Sequence, residues 1–363
     1  MKILCFIDIL GSGGAQRQLV NLAIEFKKIG IEIGFLVYYP NTFYASVLAE
    51  NNIEVHQIYE TRVIPRILKI RQYIRKGTFD AVISFLETPN LIAELAGFPT
   101  RKWKLVVGER SSNPKISKSF KLKLIRLMHL FADAVISNSE VNLEMVKKVN
   151  PFLPTNRCFT IYNMVDFDLW KPSNNYKIRI NGKTNIVIAA SHQYLKNSRN
   201  LIEAINLLSD FEKSALCVKW YGAKSPDNSY LDSQALIEHY NLSGIIEFLP
   251  QVRDISEKIM NSDCCALFSF YEGLPNIICE GMALGKPIIA TKVSDIPKLI
   301  DDSVGGYLCE FTTIDSIKNV IEKILLCSNE ELIAMGNHNR KKALLLFDKT
   351  TIVNSYLKVL ENV

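Results

Sequence analysis

The sequence predicts an α/β protein of two doubly wound domains, each a parallel sheet that keeps its ligands at the carboxyl ends of its strands. Three observations predict it. The chain has 363 residues, enough for two domains with separate cores. Its first forty residues read strand–helix–strand. An apolar run over 3–10 is followed by Gly11, Ser12, Gly13 and Gly14. An amphipathic segment over 15–29 then carries Leu19, Leu22, Ala23 and Phe26 on one face, Gly30 ends it, and a second apolar run covers 33–38. A further series of the same kind opens at 185–190 and includes an apolar run at 264–270, a helix opened by Pro275 and closed near Gly285 and Pro287, and a strand at 288–290.

Composition narrows the class. At 48% hydrophobic and 22% charged the chain is ordinary globular protein. Its eight cysteines form no C-x-x-C pair, and most lie in apolar runs, as Cys5, Cys264 and Cys265 do. That usage predicts a reducing, cytosolic setting without a structural metal. The N-terminus carries a single Lys2, and Asp8 interrupts its short apolar stretch, so it reads as a buried first strand rather than a signal peptide. No run of eighteen apolar residues occurs, so no membrane-spanning helix is expected. Charge is uneven. Residues 1–165 hold 22 Lys and Arg against 13 Asp and Glu, and the remainder 21 against 24, so net charges of +9 and −3 add to the +6 of the whole. A basic first half suggests that one domain faces an anionic surface.

In the first half, 62–76 reads as a basic amphipathic helix with Ile67, Ile70 and Ile74 on its apolar stripe, and 79–85 and 105–107 read as strands. Glu109 and Arg110 follow the latter at its ligand-facing end. Over 115–130, Lys115, Lys118, Lys121, Lys123 and Arg126 alternate with Phe120, Leu122, Leu124, Ile125, Leu127 and Met128. Such a helix either packs on a core with a solvated basic face or lies at a membrane surface. With the +9 half, the reading taken is peripheral contact with an anionic membrane. Nucleic acid is set aside because single-strand binding favours several aromatics among the charges, and Phe120 stands alone. A strand at 134–137 follows, then a helix over 140–149 capped by Asn138 and Ser139. The polar stretch 172–183 has linker composition. In the second half, 216–221 and 246–248 read as strands; 201–208, 232–240 and 254–261 read as helices. The final segment, 350–360, places Ile352, Tyr356 and Leu360 at helical spacing.

The most informative stretch is 269–287, SFYEGLPNIICEGMALGKP. It sets Glu272 and Glu280 at the ligand-facing end of a strand–turn–helix. Backbone N–H groups at the helix start favour an anion, and the carboxylates suit hydroxyl groups. Both together suit a sugar nucleotide. Singly, Glu272 reads as an N-terminal helix charge and Glu280 as a solvated helix residue. The whole E-G-L-P-N-x-x-x-E run closely resembles the donor-sugar motif of retaining glycosyltransferases of the family-4 type (GT-B fold, glycosyl transferases group 1). The resemblance implies two Rossmann-like domains facing across a cleft: an acceptor-side domain over 1–168, a nucleotide-sugar domain over 169–345, and a last helix over 346–363 crossing back to the first.

It also implies roles. Glu280 would accept hydrogen bonds from the nucleotide ribose, and Glu272 would hold a hydroxyl of the donor sugar. Gly273, Leu274, Pro275, Asn276 and Ile277 would position sugar and phosphate through their backbone, and Gly13 and Gly14 would approach the donor phosphates and the acceptor. Lys196 would neutralise the leaving diphosphate, and the base would lie near 249–252. The sequence departs from the family at four places. Ser191 stands where the family has an Arg, with Arg199 as a candidate replacement. Gln16 stands for a usual Glu, and Met164 for the Gly of N-G-V-D. No His follows a first-domain strand at the family's position; Glu109 and Arg110 occupy that neighbourhood and are the acceptor-side candidates. His192 misses the Arg register by one residue.

The function expected is transfer of a sugar, with retention, from a nucleotide-sugar donor to a hydroxyl of a growing glycan. By family habit the donor is a UDP-hexose or UDP-N-acetylhexosamine and the acceptor a lipid-linked cell-surface glycan. No cofactor or metal is expected, since there is no D-x-D pair. The location expected is cytoplasmic, peripheral at the cytoplasmic membrane face. Two other classes share these motifs: a sugar-nucleotide epimerase or hydrolase of the same fold, which would turn over donor without acceptor, and a non-catalytic nucleotide-sugar-binding module.

Overall fold

The structure, a computed structural model, describes residues 1–40, 42–173 and 176–363. It divides into two compact units, Met1–Met164 with Lys349–Val363, and Val165–Asp348.

The first unit is built on seven strands: β1 (Lys2–Phe6), β2 (Glu32–Val37), β3 (Glu54–Gln57), β4 (Ala81–Phe85), β5 (Lys104–Glu109), β6 (Ala134–Ser137) and β7 (Cys158–Thr160). All pair in parallel, in the order β3-β2-β1-β4-β5-β6-β7. Side chains alternate across the sheet. Ile3 and Cys5 enter a core with Phe26 and Phe35, while Leu4 and Phe6 enter another with Tyr38, Ile70 and Trp103. Burial on both faces is why β4 (AVISF) and β6 (AVIS) show no alternation of apolar and exposed polar residues. The strand order reverses between β1 and β4, so the chain leaving each diverges and a crevice opens beyond their carboxyl ends.

The last helix, Lys349–Asn362, packs Ile352, Val353, Tyr356, Val359 and Leu360 into the first of these cores. Tyr356 meets Phe26 edge to face at 6.5 Å, and its hydroxyl receives a hydrogen bond from Arg110 Nη2. The segment read as one basic helix over 115–130 is three pieces: a 3-10 turn Pro114–Ser117, an α-helix Phe120–Met128 and a short turn His129–Phe131. Capping divides it. The Asn113 side chain accepts from Lys115 N–H at 2.9 Å, and Ser119 Oγ accepts from Leu122 N–H at 3.4 Å, so a second helix starts at Phe120.

The second unit has six parallel strands: β8 (Thr184–Ala189), β9 (Leu216–Tyr221), β10 (Ile246–Leu249), β11 (Cys264–Leu267), β12 (Ile288–Thr291) and β13 (Gly306–Cys309), in the order β10-β9-β8-β11-β12-β13. Its order reverses between β8 and β11, so the loops after those two strands share one crevice. Of the linker expected at 172–183, residues 174 and 175 lie outside the described ones. The remainder is fastened to this unit: Asp263 accepts from the Tyr176 hydroxyl and from Arg179 N–H at 2.9 Å, and also from Asn185 N–H at 2.6 Å. The chain passes between units at Met164–Val165 and at Asp348–Lys349, where the sequence had suggested 168–169 and 345–346. At these passages Val165 N–H donates to Phe347 O at 3.0 Å. Among the described residues no helix is long and apolar enough to cross a membrane.

Candidate functional site

In the second unit the loops after β8 and β11 are laced together. Phe270 N–H donates to Leu195 O at 2.9 Å, and the Tyr194 and Phe270 rings lie 5.2 Å apart. Lys196 ends a 3-10 turn. Asn197 follows in the left-handed region (φ 60°) and starts the helix Ser198–Asn206, with its Nδ2 donating to Phe311 O at 3.2 Å. This sharp change of direction brings Lys196 Nζ to 2.5 Å from Glu272 Oε1. Ser269 Oγ donates to the same carboxylate oxygen at 2.6 Å, and Thr291 Oγ1 donates to Ser269 O at 2.7 Å. Ser294 Oγ donates to Gly273 O. Two site residues expected from sequence therefore form one mostly buried ion pair, held from β12 by Thr291 and from the turn beyond it by Ser294. Those supporting hydroxyls were not singled out in the sequence, because single Ser and Thr residues beyond a strand carry no motif.

The helix after this turn, Asn276–Ala283, follows Pro275 in extended conformation (φ −73°, ψ 121°) and has no side-chain cap. In its first turn Ile278 N–H donates to Pro275 O at 3.2 Å; a helix start in general favours an anion. Glu280 lies in its second turn and is buried. Gly273, Leu274, Pro275 and Ile277 are buried as well, and Asn276 is half-buried, so the stretch presents mainly backbone at its ligand end.

The remaining donor-side candidates stand apart. Arg199 points along its helix to Glu203 at 3.9 Å with most of its side chain in solvent, so it does not take the place left by Ser191. Ser191 lies in a loop held against β9: His192 N–H donates to Ala223 O at 2.9 Å, and a Cβ on Gly222 would sit 1.9 Å from Ala190 O. Only glycine fits that approach. Gly222→Ala is expected to lower the thermal midpoint by several degrees, since Ala190 must be displaced; calorimetry measures the shift. His192 is buried among Phe248, Tyr230 and Trp220, with centroids at 4.6, 5.2 and 5.6 Å. Burial lowers its pKa, opposed only in part by the Leu249 backbone. It stays neutral near pH 7 and supplies no charge for a phosphate.

The first unit has a crevice of its own. Beyond β1, β4 and β5 lies a cavity of about 330 Å³ whose lining includes Asp8, Leu86, Glu87, Glu109, Arg110 and Arg126. Leu86 holds φ 81°, ψ 156°, a strained backbone for a bulky residue, and starts the helix Glu87–Gly97. The strain is held by Ser84 Oγ donating to Asn90 Oδ1 at 2.7 Å and by Asn90 Nδ2 donating to Gly108 O at 3.0 Å.

Behind the cavity runs a buried chain of charges. Arg126 Nη2 reaches Glu87 Oε1 at 2.8 Å and Glu109 Oε2 at 2.9 Å. His129 reaches Glu109 Oε1 through Nε2 at 2.9 Å and Glu94 Oε1 through Nδ1 at 2.6 Å. Burial alone would lower the His129 pKa, but Glu94 and Glu109 outweigh it and raise it to about 9. Burial alone would raise Glu109, but Arg126 and His129 hold its carboxyl below the usual range.

This corrects one expectation. Glu109, taken as an acceptor-side residue, has a side chain only 2% exposed and is occupied by Arg126 and His129. The other carboxylates that line the cavity are Asp8 and Glu87, the latter 37% exposed. Arg110 does line the cavity, with its guanidinium 3.6 Å from the Phe85 ring centroid. The sequence did carry a signal for the buried chain: Arg126 and His129 sit three apart, on one face of the Lys-rich segment. Gly13 is the N-cap of the first helix and Gly14 its first residue. The Gln16 side chain folds over Gly13, where a Cβ would meet Oε1 at 2.2 Å, and it hydrogen-bonds Asp8.

Two Rossmann-like parallel sheets, each with a crevice at its switch point, define a GT-B glycosyltransferase fold. Two family profiles between them match nearly the whole chain: Glycosyltransferase Family 4 over residues 12–169, and Glycosyl transferases group 1 over 171–342. The chain belongs to these family-4, group-1 glycosyltransferases. Among curated relatives it is 24% identical to an N-acetyl-alpha-D-glucosaminyl L-malate synthase of Bacillus anthracis, covering 98% of this chain and 94% of that protein. It is 23% identical to the N-acetylgalactosamine-N,N'-diacetylbacillosaminyl-diphospho-undecaprenol 4-alpha-N-acetylgalactosaminyltransferase of Campylobacter jejuni, over 99% of each. Among solved structures, Anabaena HepE in complex with UDP and glucose superposes with a TM-score of 0.88 at 18% identity over the whole of both chains.

Proposed function

We propose that the protein is a retaining glycosyltransferase that moves a hexosyl or N-acetylhexosaminyl group from a UDP-sugar to a hydroxyl of a growing lipid-linked glycan. The observation that carries this reading is the Lys196–Glu272 pair beside the Glu280 helix, on adjacent loops at one switch point. An ammonium and a carboxylate meeting at that switch point, with the Glu280 helix beside them, support a cation for a diphosphate and carboxylates for hydroxyls. The UDP and glucose named for HepE, and the diphospho-undecaprenol glycans named for the Campylobacter relative, support the donor and acceptor classes. Lipid-linked acceptors and a basic first half support a peripheral position at the cytoplasmic membrane face.

On this reading the bond between the sugar C1 and the phosphate oxygen breaks, and its electron pair leaves with UDP. The acceptor oxygen bonds C1 on the same face, and its proton passes to the departing phosphate. Lys196 turns from Glu272 to the diphosphate and stabilises the charge developing there. Glu272, released, holds a donor-sugar hydroxyl, and Glu280 takes the ribose. No protein nucleophile is required, and we assign no metal: turnover should continue in a chelator.

The test is thermal unfolding with nucleoside diphosphates and their sugars. UDP at a hundredfold excess over its Kd should add about 2.7 kcal/mol of stability, and Glu280→Ala should remove most of that gain. If no nucleotide stabilises the folded protein, the reading fails. If donor is consumed at full rate without any acceptor, hydrolysis replaces transfer.

A further inference from the structure

The first unit carries a surface that the sugar-transfer chemistry does not use. Three stretches that contribute to it contain no Asp or Glu: residues 61–79, 95–108 and 110–132, whose Lys and Arg, leaving out the buried Arg66 and Arg126 and the cavity-lining Arg110, number five, three and four. They are neighbours in the fold. On the helix Val63–Lys76, Arg71 Nη1 donates to Leu95 O and Phe98 O at 2.7 and 2.8 Å, and Arg75 Nη1 donates to Thr100 O at 2.9 Å. Phe98 in turn meets Phe131 edge to face at 5.8 Å, which joins the second stretch to the third.

Bulky apolar groups stand exposed among these cations. Phe120 is 82% exposed and Leu124 50%, one helical turn apart on the same face of the helix Phe120–Met128. Phe98 is 53% and Phe131 41% exposed. Lys115, Lys118, Lys121 and Lys123 surround them in sequence, all exposed, and among the described residues none of the four is in an ion pair. The carboxylates nearest in sequence are turned inward or taken: Glu94 and Glu109 by His129, Asp133 by Arg101 at 2.7 Å.

We infer that this face docks on an anionic lipid bilayer, with Phe120 and Leu124 entering the boundary between headgroups and acyl chains and the four lysines meeting lipid phosphates. Cations and exposed apolar groups interleaved on one short helix are the chemistry of an interfacial segment, in which the rings enter and the ammonium groups stay at headgroup level. Single-stranded nucleic acid fits less well. Phe98 and Phe131 pack edge to face on each other and leave no open platform for bases. This inference deepens the membrane part of the proposed function, but it rests on the surface itself and its test needs neither donor nor acceptor.

The experiment is co-sedimentation of the full chain with vesicles of phosphatidylcholine alone, or with about a third of the lipid phosphatidylglycerol. The wild type should bind the anionic vesicles and scarcely the neutral ones. Replacing Lys115, Lys118, Lys121 and Lys123 by Gln should weaken that binding at least about tenfold. Phe120→Ser with Leu124→Ser should abolish the part that survives about 0.5 M salt, where charge attraction is screened. Lys323→Gln with Lys341→Gln, in the second unit, should change nothing. The circular dichroism spectrum and thermal midpoint of each variant show that it is folded, and UDP-induced stabilisation tests the donor reading separately. Undiminished vesicle binding by the lysine variant overturns the inference. So does tighter binding of a single-stranded oligonucleotide than of the anionic vesicles.

Discussion

Lys196→Ala should lower kcat roughly a hundred- to a thousandfold, the loss typical when one preorganised group facing developing charge is removed. On the proposed reading Lys196, held against Glu272 in the second unit's crevice, is the cation for the diphosphate, and Arg199, turned to Glu203, does not stand in for it. The deletion therefore leaves the leaving diphosphate without a side-chain cation from this loop. Lys196→Arg should recover only part of the rate. The 2.5 Å contact fits a compact ammonium at the end of a flexible stem, and a planar guanidinium cannot occupy the same point. Since Lys196 and Glu272 touch, the double variant Lys196→Ala with Glu272→Gln should lose less than the product of the single losses. UDP release in the presence of acceptor measures these variants and Glu272→Gln alone. A kcat within twofold of wild type in Lys196→Ala would remove Lys196 from the mechanism.

The second large effect concerns stability. His129→Leu should destabilise the first unit by about 3–5 kcal/mol, because it leaves Glu94 and half of Glu109 without the cation that compensates their burial. The pH dependence has a definite sign. His129 binds its proton more tightly folded, with a pKa of about 9, than unfolded, near 6.5. Its contribution is complete below about pH 6.5 and fades as pH rises through 9. The difference amounts to about 3 kcal/mol between those limits. Urea melts from pH 6 to 10 should show the wild type losing stability as pH rises through about 9, and the variant should lack that step, its remaining slope coming from the buried Glu94 that His129 no longer offsets. Parallel profiles would mean that His129 is not the group that titrates.

Much of this was legible in the sequence because it depends on local pattern. The strand–helix–strand openings, the helices Gly14–Lys28 and Val63–Lys76, and the last helix all follow from apolar periodicity. The pairing of Glu272 with Lys196 fits the family motif, which places both at the ligand end of neighbouring strands. The misses have physical causes. Strands β3 and β7 are four and three residues long at opposite edges of their sheet, too short for a period to register. The helix Glu87–Gly97 begins at a strained Leu86 and encloses Pro89, which local propensity reads as a breaker although proline is tolerated in a first turn. The role of Glu109 was misread because position at a strand end does not reveal burial. It took the neighbouring Arg126 and His129, brought in from a segment that looked like a surface helix, to turn a ligand candidate into an internal ion pair.

The helix Lys349–Asn362 has a consequence for how the molecule is made. Its five buried side chains complete a core whose other members all lie before Val165. The second unit is an uninterrupted span of the chain, so every residue of its sheet is available once Asp348 has been synthesised. The first unit is begun earlier and finished later: its sheet is translated before the second unit, yet one wall of its core stays uncovered until residues 349–363 have left the ribosome. A stop codon just after Asp348 would therefore damage the part of the protein translated longest before it and spare the part next to it.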